Sequence, residues 1–220
     1  MNVASLLDPA SASIVVGGTL LATLLRCGIG DCRLAFAAIG QLGQRRFDAD
    51  QAKAEMAVKV QQIRREGLLR VEPHRVGDRA LDEATDRMFG SRSVSALLEV
   101  HEAQKTQRLH ADNRAVRTLA QAAELAPVFG LAATLISLTQ LPANGIDRHS
   151  YMSAISMAVS ATLYGLLFAN LLLAPLARAV ERAAAEEERE RQKLVDWLAK
   201  QVASALPRPR PVLVPEALSA

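Results

Sequence analysis

Residues Ala122 to Leu141 read AAELAPVFGLAATLISLTQL and carry no ionisable side chain after Glu124. At 1.5 Å rise per residue, a helix of about 20 apolar residues matches the hydrocarbon thickness of a bilayer. The same stretch holds Pro127, Gly130, Thr134 and Ser137. At about 100° per residue these four fall within roughly 80° of one another, so they form a stripe. A helix that met only lipid has no use for a proline and two hydroxyls. The stripe therefore faces protein or water.

Working outward, charge is segregated along the chain. Of 220 residues, 50% are hydrophobic and 22% charged, yet Ala10 to Leu25, Ala122 to Leu141 and Tyr151 to Leu176 are nearly charge-free. Three membrane-spanning helices are the simplest count, and the fold class expected is an all-α integral membrane protein with long helical cytoplasmic extensions. Arg26, Arg33, Arg45 and Arg46 follow the first apolar stretch, and Arg178 and Arg182 follow the third. The positive-inside rule then puts the amino terminus outside. The expected organisation is a first span within 1–25, a cytoplasmic helical region 26–121, a second span 122–141, an outer loop 142–150, a third span 151–176, a cytoplasmic charged helix 177–206 and a disordered proline-rich tail 207–220. The first stretch lacks a basic region before it and is not a cleavable signal; Gly17, Gly18 and Ala22 read as a packing face.

From Ser91 to Ala126 there is neither Gly nor Pro, which predicts a helix running unbroken into the second span, about 75 Å from Ser91 to Leu141. Pro127 removes one backbone hydrogen bond where that rod enters the apolar region, so a hinge is expected there. The third span meets Pro175 and continues as a charged helix. Shorter helices are expected over Cys32 to Gln44, Ala49 to Leu69 and Gly77 to Met88.

Several function classes are excluded by composition. The net charge of +3 comes with only 4% aromatics and with basic residues alternating with acids, so no nucleic-acid surface is expected. Cys27 and Cys32 are not spaced as CxxC and read as plain thiols. His74, His101, His110 and His149 show no metal-ligand spacing and read as solvated side chains, so no metal is expected. No nucleophile elbow or phosphate-binding loop is present, and the chain does not read as an enzyme.

What remains is the membrane. In the third span Ala154, Ala158, Thr162, Gly165 and Ala169 form a second stripe of small residues. One reading of both stripes is helix packing, with Gly17, Gly18, Gly130, Ala158, Gly165 and Ala169 at the contacts. The other is that Thr134 and Thr162 line an ion path. Beyond Glu124 no Asp, Glu or Lys lies inside the apolar stretches to carry an ion, so a conducting assembly needs a partner chain to supply one. On the cytoplasmic side, QIRREGLLRVE (Gln62 to Glu72) concentrates charge either as a solvated face or as a docking surface.

These residues resemble the MotA branch of the MotA/TolQ/ExbB proton channel family. The resemblance is carried by Asp8, Pro9 and Ser11 with Ile14 to Thr19 (IVVGGT), by Glu124, Ala126, Pro127, Phe129, Gly130 and Thr134, and by Thr162 to Gly165 with Asn170 and Pro175. It implies a flagellar stator subunit in the bacterial inner membrane. Pro127 and Pro175 match the family's two sensitive prolines, Thr134 and Thr162 its channel-side positions, and Arg64, Arg65 and Glu72 its rotor-contacting charges. The implied partners are a single-span, peptidoglycan-anchored MotB-like subunit, a rotor switch protein, membrane lipid and further copies of the chain in a pentamer. No cofactor is implied; the transported species is H+ or Na+, and the hydroxyl at Thr134 leaves both open. The family's first membrane helix would precede Met1, so either a start codon upstream or a divergent three-span member is expected. A TolQ/ExbB-like energiser of envelope machinery and a non-conducting scaffold are the alternatives.

Overall fold

A computed structural model describes residues 9–43, 48–66, 79–91, 93–139 and 148–203. The described residues are helical: α1 (Pro9–Gln41), α2 (Ala49–Glu66), α3 (Arg79–Ser91), α4 (Val94–Thr139), α5 (Arg148–Leu167) and α6 (Ala174–Ala203), with a π-helical segment Phe168–Leu173 joining the last two. Among the described residues three stretches are long and apolar enough to cross a membrane, within Pro9–Gln41, Val94–Thr139 and Tyr151–Ala203. Their outward faces carry large apolar side chains, with Leu25 79% and Leu171 72% exposed. An apolar surface of this kind is stable only against lipid or protein. The chain is a multi-pass, all-α membrane protein.

Two compact units divide the chain. The first, residues 1–46 and 107–187, contains the apolar helices. Its α1 descends antiparallel to α4. Val15 is packed with Ala133 and Ala161, and Ala35 with Ala115, Leu119, Ala177 and Val180. The buried face of α1 is Ser11, Val15, Thr19 and Thr23, spaced by four. Thr19 and Thr23 can be buried because each hydroxyl donates to the carbonyl one turn back, Val15 O at 2.6 Å and Thr19 O at 2.7 Å. Of the residues expected to pack, Gly18 lies against Phe129, while Gly17 is exposed, and a Cβ there would meet nothing within 4 Å.

The second unit, residues 47–106 and 188–220, is built on a core of Ala52, Met56 and Val60 from α2, Ala84 and Met88 from α3, Leu97 from α4, and Leu194, Val195, Leu198 and Val202 from α6. Asp48 starts α2 by accepting from the amides of Asp50 (3.0 Å) and Gln51 (3.1 Å), which satisfies two donors that the first turn leaves without partners. His101 was expected to be solvated and is instead 4% exposed, with Nε2 3.2 Å from Gln192 Oε1 and 3.8 Å from Glu188 Oε1. Its burial comes from its place one turn after Leu97, on the face α4 turns to α6. His110 is exposed, while the side chains of His74 and His149 lie outside the described residues.

The expected helix from Ser91 to Leu141 is observed as Val94–Thr139, with Pro127 inside it. Two features differ from the sequence-based expectation. The helix expected to begin at Cys32 is continuous with the first span except at Gly28, whose φ of 82° and ψ of 163° interrupt it. The third span is not a plain α-helix up to Pro175, because Phe168–Leu173 widens to π geometry and the Ala174 amide bonds Ala169 O, five residues back. Pro175 has no N–H to give, and its ring clashes with the carbonyl four residues back in α geometry; the wider turn relieves that clash.

Candidate functional site: the hydroxyl pair between α4 and α5

Helices α4 and α5 approach closely because both present glycine at the crossing. A Cβ on Gly130 would sit 3.0 Å from Ala161 O and 3.2 Å from Gly165 Cα; one on Gly165 would sit 2.8 Å from Ala126 O and 3.0 Å from Gly130 Cα. All four neighbours are backbone atoms, which cannot swing aside as a flexible side chain can. Ala158 and Ala169, on either side of the crossing, are 6% and 4% exposed and continue the small-residue face.

One turn beyond each glycine contact, the two stripes meet. Thr134 Oγ1 and Thr162 Oγ1 are 2.7 Å apart. Thr134 Oγ1 also lies 3.0 Å from Gly130 O and 2.9 Å from Ala158 O, and Thr162 Oγ1 lies 3.3 Å from Ala158 O. Each hydroxyl has one hydrogen to donate. If Thr162 donates to Thr134, then Thr134 donates to a carbonyl; the reverse assignment serves Ala158 O from Thr162. Either way each oxygen keeps a free lone pair beside backbone carbonyls. Both threonines are half-buried. Oxygens of this kind replace part of the hydration shell of a small cation or hold a file of water. They do not themselves bind and release a proton near neutral pH, and beyond Glu124, at the edge of its stretch, the apolar stretches contain no carboxylate.

The other residues singled out from sequence fall at different places. Pro127 is half-buried in α4, one turn before Gly130; Pro175 is exposed at the start of α6. Ser137, 3% exposed, donates to Ala133 O at 2.9 Å and is satisfied within its own helix. Arg64 and Arg65 lie on α2, but their side chains and all of Glu72 lie outside the described residues. Sequence reasoning missed the buried hydroxyls of α1, although Ser11, Thr19 and Thr23 show a spacing of multiples of four. It also missed Ser11 Oγ, which donates to Met157 O at 3.4 Å and ties α1 to α5. Among the described residues no group of three or more His, Cys, Asp or Glu converges to hold a metal.

Thr134→Val keeps the shape of the side chain and removes its hydrogen bonds. It is expected to lower stability by about 1 kcal/mol, seen as a lower thermal midpoint of the detergent-solubilised protein, with assembly retained.

An antiparallel bundle of apolar helices with a hydroxyl pair beside a close helix crossing defines a multi-pass membrane protein. The comparisons with known proteins place it more narrowly. Residues 72–193 match the MotA/TolQ/ExbB proton channel family, and the chain belongs to that family. It is 25% identical over 199 residues to Motility protein A of Cereibacter sphaeroides, covering 90% of this chain and 78% of that protein. It is 23% identical to Chemotaxis protein PomA of Vibrio alginolyticus, covering 89% and 78%. Its fold superposes on the flagellar MotAB stator complex from Bacillus subtilis with a TM-score of 0.82 at 20% identity, covering 92% of this chain and 81% of that one.

Proposed function

We propose that this chain is the MotA-like stator subunit of an ion-driven flagellar motor in the bacterial inner membrane, passing H+ or Na+ along a path shared with a single-span MotB-like partner. The observation that carries the reading is the Thr134–Thr162 pair, 2.7 Å apart, set in spans whose sequence holds no carboxylate past Glu124. The partner supplies the membrane carboxylate that takes up and releases the ion, and the threonine oxygens and the Ala158 carbonyl line the way to it. Several copies of the chain surround the partner. The names of the relatives, a motility protein and a chemotaxis protein, support this output over envelope transport.

In this reading the ends of α4 and α6 remote from the pair are cytoplasmic, and Arg64, Arg65 and Glu72 meet the rotor. Ion passage shifts α4 and α6 about Pro127 and Pro175, and those two helices are the elements with two arrangements. Deleting the gene tests the output. The expected result is a cell that builds flagella and does not swim; normal swimming with defective envelope transport would overturn the reading.

A further inference from the structure

Gly28 stands apart from the other glycines of the apolar helices. Its φ of 82° lies in the region that L side chains rarely adopt, yet a Cβ built on it would meet nothing within 4 Å. Gly18, Gly130 and Gly165 are there because a neighbour sits too close for a side chain. Gly28 is required only by backbone conformation. It breaks α1 at one point.

Both sides of that break are fastened to α4. Cys27 Sγ donates to Gln121 Oε1 at 2.9 Å, just before the break. Just after it, Asp31 Oδ1 accepts from Arg114 Nε at 2.9 Å and from Arg114 Nη2, while Ala35 packs with Ala115 and Leu119. Nearer the start of α1, Gly18 lies against Phe129 and Val15 against Ala133. Thus α1 touches α4 on both sides of Pro127. A rigid α1 held at both places would splint α4 across Pro127.

We propose that Gly28 is a hinge in α1 matched to Pro127 in α4, and that the segment after it travels with the part of α4 before Pro127, held by Ala35 and the Asp31–Arg114 pair. The proposal rests on the stator reading only for its effect on motility; the hinge itself is a statement about backbone geometry. The ion pair is partly exposed, so its part is to keep α1 and α4 in register, and the buried alanines supply the adhesion. The hinge adds a third pivot to the two prolines, on a helix where no proline marks it.

Gly28→Ala places a side chain in open space and changes only the backbone preference. The test uses the full chain in lipid nanodiscs, with Cys27→Ser and Cys32→Ser, and spin labels at Ser13→Cys and Phe36→Cys, both exposed positions on either side of the break. A straight helix separates these positions by about 35 Å. The expected distance in the parent is shorter, and Gly28→Ala moves it toward about 35 Å. In cells, Gly28→Ala is expected to cut swimming speed at least about tenfold while flux through the reconstituted chain and partner stays within about twofold. As a second variant, Asp31→Arg is expected to impair swimming, and adding Arg114→Asp to restore it. An unchanged distance in Gly28→Ala would overturn the proposal, and so would a lengthened distance with normal swimming. Absence of partner-dependent flux in the parent would instead overturn the stator reading, leaving the distance to decide the hinge.

Discussion

Gly165→Ala is expected to separate α4 from α5 and abolish function, although it adds a single methyl group. That methyl would lie 2.8 Å from Ala126 O and 3.0 Å from Gly130 Cα, so the two backbones must move apart. Overpacking of this kind costs about 1–3 kcal/mol, against roughly 1 kcal/mol gained from replacing glycine within a helix. The larger loss is geometric. Thr134 and Thr162 stand one turn from the contact, and moving Ala126 O from 2.8 Å to an ordinary contact of 3.4 Å carries the 2.7 Å hydroxyl pair past the usual O–H···O range. The expected results are a lower thermal midpoint and ion flux reduced at least about tenfold. Gly17→Ala is the control: it meets nothing within 4 Å and should leave the midpoint level or slightly raised.

Pro127→Ala is expected to push stability and activity in opposite directions. In the interior of α4, Pro127 withholds the amide that the Ala123 carbonyl would otherwise accept. A proline in a helix interior costs about 3 kcal/mol relative to alanine, so the alanine variant should unfold at a higher temperature. The same change straightens the helix at the point where the stator reading needs it to bend. Swimming speed should fall at least about tenfold while the protein remains assembled in the membrane. A variant that is both more stable and fully motile would show that bending at Pro127 takes no part in coupling.

The three spans were legible because charge segregation is a property of the chain alone, and lipid imposes it whatever the helices do to one another. Each stripe was legible too, since Thr134 and Thr162 obey their own helical periods. That their hydroxyls meet was not, because the register between two helices is set by the close approach at Gly130 and Gly165. The break at Gly28 was hidden for a related reason: RCGIGDC contains two glycines, and only the backbone reveals which one leaves the helix. The π segment before Pro175 escaped because a proline announces a lost hydrogen bond without saying how the helix adapts. His101 was misread because a charged helix outside the membrane suggests solvent on every side, while α4 in fact buries one face against α6.

The central claim is that the hydroxyl pair conducts only together with a partner's carboxylate. The most direct measurement is H+ and Na+ flux into liposomes carrying the chain with its single-span MotB-like partner, compared with the partner's membrane Asp changed to Asn and with Thr134→Val plus Thr162→Val. Flux is expected to be lost without the partner's carboxylate and to be at least about tenfold lower in the double-valine variant of intact assembly. Flux undiminished by removing that carboxylate would contradict it.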